Sequence, residues 1–354
     1  MKNTGKVLIF IALLSSFFAC RLEPDAAPSP APWKLEVADA DIWNVQAVAD
    51  KLFVQTSTTL YTLDAGSTQS PCLTFDTIGF RIPISKTIAV KPSADGQYLD
   101  FYATKNLCGG TPKHIKVSDF SIPSLETLNP VNWSHMLATD DAHFLCAFAI
   151  NSYRYQLALF SVQFTDASQT EVSAVTAQKI EVPDVSQFFD IQMFNGKIFA
   201  GYRSVADEFN TITVNTDGSW QSVFPDLSRQ IVSLGNTSYA FGTKNIYKSS
   251  DAGNSWTYYS DLYNKDGWPA YPVDLRFATV YNKLIGFQKF DGPHLYVIEE
   301  TVDSNFEKYW ELDHSGINDI SIYTDMFVPF GEKIYLRTAE GVLSRPAAEF
   351  FTPE

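Results

Sequence analysis

The sequence is poor in basic residues relative to acidic ones. Its 354 residues include 26 Lys and Arg against 40 Asp and Glu, which gives a formal net charge of −14 at pH 7. Phosphate backbones and anionic lipid headgroups repel a chain of this charge. We therefore expect no nucleic-acid partner and no affinity for an anionic membrane surface through charge.

Cysteine and histidine are also scarce, with four and five residues respectively. They form no Cys-x-x-Cys pair and no histidine cluster, so we expect no metal site, no cofactor and no nucleophilic triad. Cys72 follows a proline and Cys108 precedes a Gly-Gly pair, both in loop-like contexts of neighbouring repeats. A Cys72–Cys108 disulfide is our hypothesis. Cys146 lies in an apolar strand and is expected to be a buried free thiol.

The apolar run at the N-terminus is too short to cross a membrane. It covers residues 7–18, after Lys2 and Lys6, whereas a spanning helix needs about 20 residues. The run leads into Ala19 and Cys20, which resemble the lipobox of bacterial lipoproteins, with Phe17 where that motif usually has Leu. The resemblance implies a signal peptide over residues 1–19, a lipid on Cys20, and an outer-membrane lipoprotein of a Gram-negative bacterium that faces the periplasm or the cell surface. An ordinary signal peptide is the alternative.

The rest of the chain is predicted to be a tether followed by one all-β domain. Residues 20–32 include the Pro/Ala-rich stretch AAPSPAP, which favours a stiff, extended tether. Over residues 33–354 there is no sustained helical periodicity, and short strands alternate with turn signals. The 17 Tyr and 27 Phe favour strands.

Internal repetition is the main feature of this domain. A polar turn followed by a strand of aromatic and β-branched residues recurs seven times, at residues 50–54, 95–99, 141–145, 195–199, 235–239, 282–285 and 331–335. The spacing of roughly 40 to 54 residues is typical of a four-stranded propeller blade. We predict a seven-bladed β-propeller of four-stranded antiparallel blades. Because the last unit lacks a fourth strand, residues 33–37 are predicted to supply it and close the ring.

One turn carries a recognisable motif. Its defining residues are Ser249, Asp251, Gly253, Ser255 and Trp256, between two apolar strands. They resemble the Asp-box, or BNR repeat, of sialidase-like β-propellers. The carboxylate can accept hydrogen bonds from its own turn, the glycine can adopt a positive φ, and the tryptophan can anchor the next strand. The resemblance implies a structural motif that lies away from the ligand-binding face.

A second resemblance concerns Arg81. It lies in Phe80-Arg81-Ile82-Pro83, which is similar to the FRIP motif of sialidases, whose arginine binds the carboxylate of the substrate. Such enzymes also need two further arginines and a tyrosine–glutamate pair. Arginines in or near strands are present at 203, 276 and 337, and a sialidase-like tyrosine segment begins at Tyr259, beside the Asp-box. The alternative is that Arg81 is simply a residue at a strand end.

A long aromatic loop is the other candidate binding element. Residues 261–272 include Tyr263, Trp268 and Tyr271, which could stack on sugars, anchor a protein partner or pack over the propeller face. The paired acids Asp140 and Asp141 are expected to share no site, because adjacent residues of a strand point to opposite faces.

The sequence therefore predicts a cell-envelope lipoprotein whose propeller binds glycan or protein on the loop-lined face over the central channel, with no identified catalysis. This prediction rests on analogy between folds. The alternative is a sialidase-type exo-glycoside hydrolase that uses Arg81 to bind the substrate carboxylate.

Overall fold

The protein is an all-β ring, seen in a computed structural model. The structure describes residues 32–39, 41–63, 69–76, 81–122, 125, 137–151, 154–228, 230–261, 275–288, 294–300, 306–317 and 327–353. Residues 32–354 form one compact unit. Within the described ranges, no helix is both long enough and apolar enough to cross a bilayer.

The strands follow one another with short connections. In the first half of the chain they are β1 (Lys34–Ala38), β2 (Ile42–Val48), β3 (Lys51–Thr56), β4 (Thr59–Leu63), β5 (Gln69–Thr74), β6 (Ile88–Pro92), β7 (Tyr98–Ala103), β8 (Lys113–Lys116), β9 (Leu137–Thr139), β10 (His143–Asn151), β11 (Arg154–Phe164) and β12 (Val172–Ile180). In the second half they are β13 (Val185–Phe194), β14 (Lys197–Ser204), β15 (Phe209–Val214), β16 (Trp220–Phe224), β17 (Gln230–Leu234), β18 (Thr237–Phe241), β19 (Asn245–Ser249), β20 (Thr257–Asp261), β21 (Leu275–Val280), β22 (Lys283–Gln288), β23 (His294–Glu300), β24 (Phe306–Glu311), β25 (Phe327–Phe330), β26 (Lys333–Thr338) and β27 (Gly341–Pro346). Short 3₁₀ turns occur at Thr104–Asn106, Val117–Phe120 and Ala347–Glu349.

These strands form seven antiparallel sheets, numbered here as blades 1 to 7 in chain order. Blade 1 is β2–β5, blade 2 is β6–β8, blade 3 is β9–β12, blade 4 is β13–β16, blade 5 is β17–β20, blade 6 is β21–β24, and blade 7 is β25–β27 with β1. Apart from β1, which pairs with β27, neighbours in sequence are neighbours in each sheet, as expected for hairpins with tight turns. The predicted seven-bladed β-propeller is confirmed.

The first strand segment of blade 2 is short. Ile84 pairs with Ala89 in an isolated antiparallel bridge, and Val90 N–H donates a hydrogen bond to the carbonyl of Pro83 at 3.1 Å. Residues 82–85 therefore form the innermost segment of the blade, and β6 is its second strand. The turn at residues 95–96 consequently joins the second and third strands of the blade. The sequence repeats instead align the turn at residues 95–96 with turns that join the first and second strands of the other blades.

Most second strands are buried on both faces. In β3, five successive residues from Leu52 to Thr56 are buried, and β26 shows the same run from Ile334 to Thr338. A blade is covered by another blade on each side, so a central strand needs apolar side chains in both directions. This explains why each of these strands begins its buried run with three successive apolar or aromatic residues.

Apolar clusters fill the interfaces between blades around the whole ring. Among the described residues there are clusters between blades 1, 2 and 3, and one at each following interface as far as blades 6 and 7. A further cluster joins Val45 and Leu52 of blade 1 to Tyr335 and Val342 of blade 7. The last blade thus packs on the first, and the ring is closed.

The N-terminal strand completes blade 7. β1 pairs with β27 in antiparallel register, with Leu35 opposite Leu343, so the closure predicted from residues 33–37 is confirmed. Trp33 and Val37 are buried. Glu36 accepts hydrogen bonds from Lys333 Nζ at 2.9 Å and from Ser344 Oγ at 2.7 Å. Burial opposes ionisation of this carboxyl, but these contacts outweigh burial and lower the pKa of Glu36.

Candidate functional site

A depression of about 320 Å³ lies at the end of the ring where the first and second strands of blades 1 to 4 are joined. It is lined by residues 46–49 of blade 1, 84–86 of blade 2 and 139–141 of blade 3, with Met193 and Gly196 of blade 4. These residues lie on innermost strands or on the turns that follow them. Innermost strands surround the central channel of a propeller, so the depression lies at the edge of that channel, on the side of blades 1 to 4, and is called the axial depression below.

Hydrogen bonds between blades hold the rim in place. Gln46 Nε2 of blade 1 donates to the carbonyl of Ile84 in blade 2 at 2.5 Å. Thr87 Oγ1 of blade 2 donates to the carbonyl of Asp141 in blade 3. Each turn is thereby fixed to the next, so the groups on the rim are held in position before any ligand binds.

Asp140 is held by its own turn. Its Oδ1 accepts hydrogen bonds from the backbone N–H of Ala142 at 2.7 Å and of His143 at 2.5 Å, and His143 Nδ1 lies 3.0 Å from both carboxylate oxygens. Burial opposes ionisation of this carboxyl, but the hydrogen bonds from His143 and Ala142 outweigh it and lower the pKa of Asp140. Asp140 is therefore a fixed negative charge on the rim.

Two charges on the rim remain available to a ligand. Asp141 and Lys86 are both exposed, and neither side chain makes a hydrogen bond or ion pair with another described residue. Asp140 and Asp141 share the depression because they lie on a turn. The prediction that they share no site is therefore wrong, because side chains alternate between faces only within a strand.

The sequence predicts no binding site at any of the residues that line the depression. They lie far apart in the chain, and no motif marks them. The signal that could have found them is the repeat itself, because the turns after all the first strands must meet at one end of the ring.

The turn from Ser249 to Trp256 joins the third and fourth strands of blade 5. Asp251 Oδ2 accepts a hydrogen bond from Ser255 Oγ at 2.6 Å, and Oδ1 accepts one from Ser249 Oγ at 2.8 Å. These contacts, led by those from Ser255, lower the pKa of Asp251 to about 2. Gly253 has a φ of +86°, which suits glycine. The turn is thus closed by its own side chains.

This turn fastens blade 5 to blade 4. The Trp256 ring packs edge-on against Phe199, with centroids 6.1 Å apart, and contacts Phe224. Asn254 Oδ1 accepts a hydrogen bond from Lys197 Nζ at 2.5 Å, beside Gly196 of the depression. The turn and the depression therefore lie at the same end of the ring.

Arg81 lies away from the depression. It precedes the innermost segment of blade 2, whereas Lys86 follows that segment, so the two residues mark its opposite ends. Arg203 forms an ion pair with Asp207 at 3.2 Å, and Arg337 donates to the carbonyl of Trp43 at 2.7 Å. No arginine is among the described residues that line the depression.

A tyrosine–glutamate cluster lies between blades 5 and 6. Tyr259 and Tyr239 donate hydrogen bonds to the two carboxylate oxygens of Glu300, at 2.6 and 2.8 Å, and Lys248 Nζ lies 3.0 Å from Oε1. Burial and then the hydrogen bond to Glu300 raise the pKa of both tyrosines. The cluster therefore joins blades 5 and 6, because three groups of blade 5 contact one carboxylate of blade 6.

The other predicted residues divide into two groups. Cys72 on β5 and Cys108 in the connection between β7 and β8 form a disulfide that links blades 1 and 2, and Cys146 is a buried free thiol. Burial raises the pKa of the Cys146 thiol. The lipidation candidate Cys20 and the loop residues Tyr263, Trp268 and Tyr271 lie outside the described residues. Within the described ranges, no group of three or more His, Cys, Asp or Glu side chains is arranged to hold a metal ion.

Comparison with known proteins identifies the fold and no family. No protein-family model matches the sequence, and no curated protein matches it. The extracellular domain of a one-component system protein of B. thetaiotaomicron has a TM-score of 0.51 at 8% identity, covering 90% of this chain and 40% of that chain. The extracellular domain of a hybrid two-component system protein of the same organism has a TM-score of 0.50 at 8% identity, covering 89% and 39%.

A third structure is PorZ, a bacterial surface component of the type-IX secretion system of Porphyromonas gingivalis. It has a TM-score of 0.46 at 12% identity, covering 92% of this chain and 39% of that chain. The chain therefore spans about two fifths of the length of these three structures. At these identities the similarity of the first two shows the propeller fold alone.

Proposed function

We propose that this protein is a cell-envelope lipoprotein whose propeller recognises a glycan or a protein in the axial depression. The observation that carries the proposal is the rim of the depression, where blades 1 to 3 are fixed to one another and where Asp141 and Lys86 are exposed without a partner among the described residues. Fixed polar groups around a partly apolar hollow are typical of binding sites. The extracellular location of the similar propeller domains of B. thetaiotaomicron supports an envelope location by analogy.

The binding site is tested by removing the exposed carboxylate of Asp141. Asp141→Asn is expected to weaken binding of the ligand about tenfold, because a charged hydrogen-bond acceptor that contributes about 1.5–3 kcal/mol is lost. The measurement is retention of envelope glycans and proteins by the immobilised full chain, followed by the dissociation constant of what is retained.

A matched control removes one carboxylate outside the depression. Glu332→Gln, on the turn between β25 and β26 of blade 7, should leave retention unchanged. Equal retention by the depression variant and this control, or no retention by the wild-type chain, would refute the proposed site.

The lipid anchor is tested at Cys20. The wild-type chain should carry a diacylglyceryl group on the N-terminal cysteine of its processed form, whereas Cys20→Ala should lack the added mass and leave the detergent phase on phase separation. Ser16→Ala, in the same apolar run, should retain both properties. An N-terminal peptide of unmodified mass in the wild-type protein would contradict the anchor and leave an ordinary signal peptide as the explanation.

A further inference from the structure

We infer that the group bound in the axial depression is one long cationic side chain, a lysine or an arginine, of a protein partner. This inference rests on the recognition site proposed above. The inference names the chemistry that the depression accepts. Three observations support it: the charge of the depression, the side chains that line it, and its size.

The charge of the rim favours a single cation. Asp140 and Asp141 contribute two carboxylates and Lys86 one ammonium group, so the lining residues carry a formal charge of −1. Asp140 is held by its turn, which leaves the unpaired Asp141 to accept new hydrogen bonds. The whole chain has a net charge of −14, which attracts a basic partner and favours its approach.

The walls suit an aliphatic stem. Val48 and Ile84 are buried side chains that line the hollow, and Met193 lies beside them. Lysine and arginine place their methylene groups along apolar surface and keep the charged head at a polar rim. None of the described lining residues is aromatic, so the depression offers no ring on which a sugar could stack.

Size limits the depression to one group. At about 320 Å³ it lies near the lower end of the range of about 300–1,000 Å³ for ligand pockets. A guanidinium offers five N–H donors to the exposed carboxylate of Asp141, and an ammonium group offers three.

Met193 provides a local probe for the test. The chain has four methionines, so the methyl signal of Met193 can be assigned in the full chain, solubilised in detergent, with a Met193→Leu variant. Nα-acetyl-arginine amide is expected to shift this signal in a saturable way. Asp141→Asn should weaken that binding about tenfold, because a charged hydrogen-bond acceptor is lost. Glu332→Gln, at the same end of the ring and outside the depression, should bind as the wild type does.

Two results would overturn the inference and separate it from the proposed function. Saturation by N-acetylglucosamine without saturation by the arginine probe would make the site a sugar site and leave recognition in the depression intact. Equal affinity of wild type and Asp141→Asn for the arginine probe, or no shift with either probe, would show that the depression does not take a cationic side chain. If the arginine probe fails in either of these ways, the retention experiment with envelope glycans and proteins still tests the proposed function separately.

Discussion

Deletion of residues 33–38 is expected to lower the free energy of unfolding by at least about 5 kcal/mol, because it removes the strand that closes the ring. The deletion exposes the partners of two buried side chains, Trp33 and Val37, and each such burial contributes about 2–5 kcal/mol. It also removes the backbone pairing of β1 with β27, which leaves the edge of blade 7 open. Urea unfolding followed by tryptophan fluorescence measures the difference.

The same strand offers a matched pair of substitutions. Val37 is 4% exposed and faces the cluster between blades 7 and 1, whereas Leu35 is 44% exposed. Val37→Ala is therefore expected to cost about 2 kcal/mol and Leu35→Ala less than about 0.5 kcal/mol. Equal unfolding midpoints for the deletion and the intact chain would show that the ring holds without its N-terminal strand.

The closed ring could be predicted from the sequence because its signals are redundant. Seven similar turn-and-strand units predict seven blades, and a last unit with one strand too few predicts that another segment completes it. The sequence offered residues 33–37 as the unassigned strand, and the structure places β1 at Lys34–Ala38. Agreement within one residue follows because the pairing partner, β27, leaves little freedom of register.

The register of blade 2 could not be predicted, for a physical reason. The turn at Asp95–Gly96 carries the residues typical of any tight turn, whether it joins the first and second strands or the second and third. The actual first turn, around Ser85 and Lys86, follows a short segment that contains Pro83. Proline cannot donate a ladder hydrogen bond, so this segment reads weakly as a strand, although it suits the innermost edge of a blade.

The depression was not predictable at the level of residues. Gln46, Lys86, Asp141 and Met193 lie on four blades, and only the ring brings them together. Each of them alone is an ordinary turn or strand residue. Alternation of side chains predicts that Asp140 and Asp141 share no site, but that rule holds only within strands. Their position after the last residue of β9 puts both on the rim.

The second large effect is expected at Asp226, between blades 4 and 5. Asp226 is 2% exposed, and its carboxylate accepts hydrogen bonds from the backbone N–H groups of Leu227, Thr243, Lys244 and Asn245, at 2.8 to 3.1 Å. Asp226 lies in the connection between β16 and β17, and it thus holds the turn between β18 and β19 of blade 5 in place. A Cβ at Gly242 would lie 2.3 Å from Asp226 Oδ2, so the turn and the carboxylate are closely fitted.

Asp226→Ala is expected to lower the free energy of unfolding by about 3–5 kcal/mol, since it leaves several buried N–H donors without an acceptor. Asp226→Asn should recover part of this loss, because one oxygen remains while the new amide N–H₂ faces the same donors. Asp217→Ala is the control: Asp217 also accepts hydrogen bonds within a turn, from Ser219, but it is exposed to water, which can replace it. If urea midpoints for Asp226→Ala and Asp217→Ala coincide, the buried carboxylate does not hold blades 4 and 5 together. A larger loss of unfolding free energy for Asp226→Ala than for Asp217→Ala would show that one buried carboxylate stabilises the turn between β18 and β19 of blade 5.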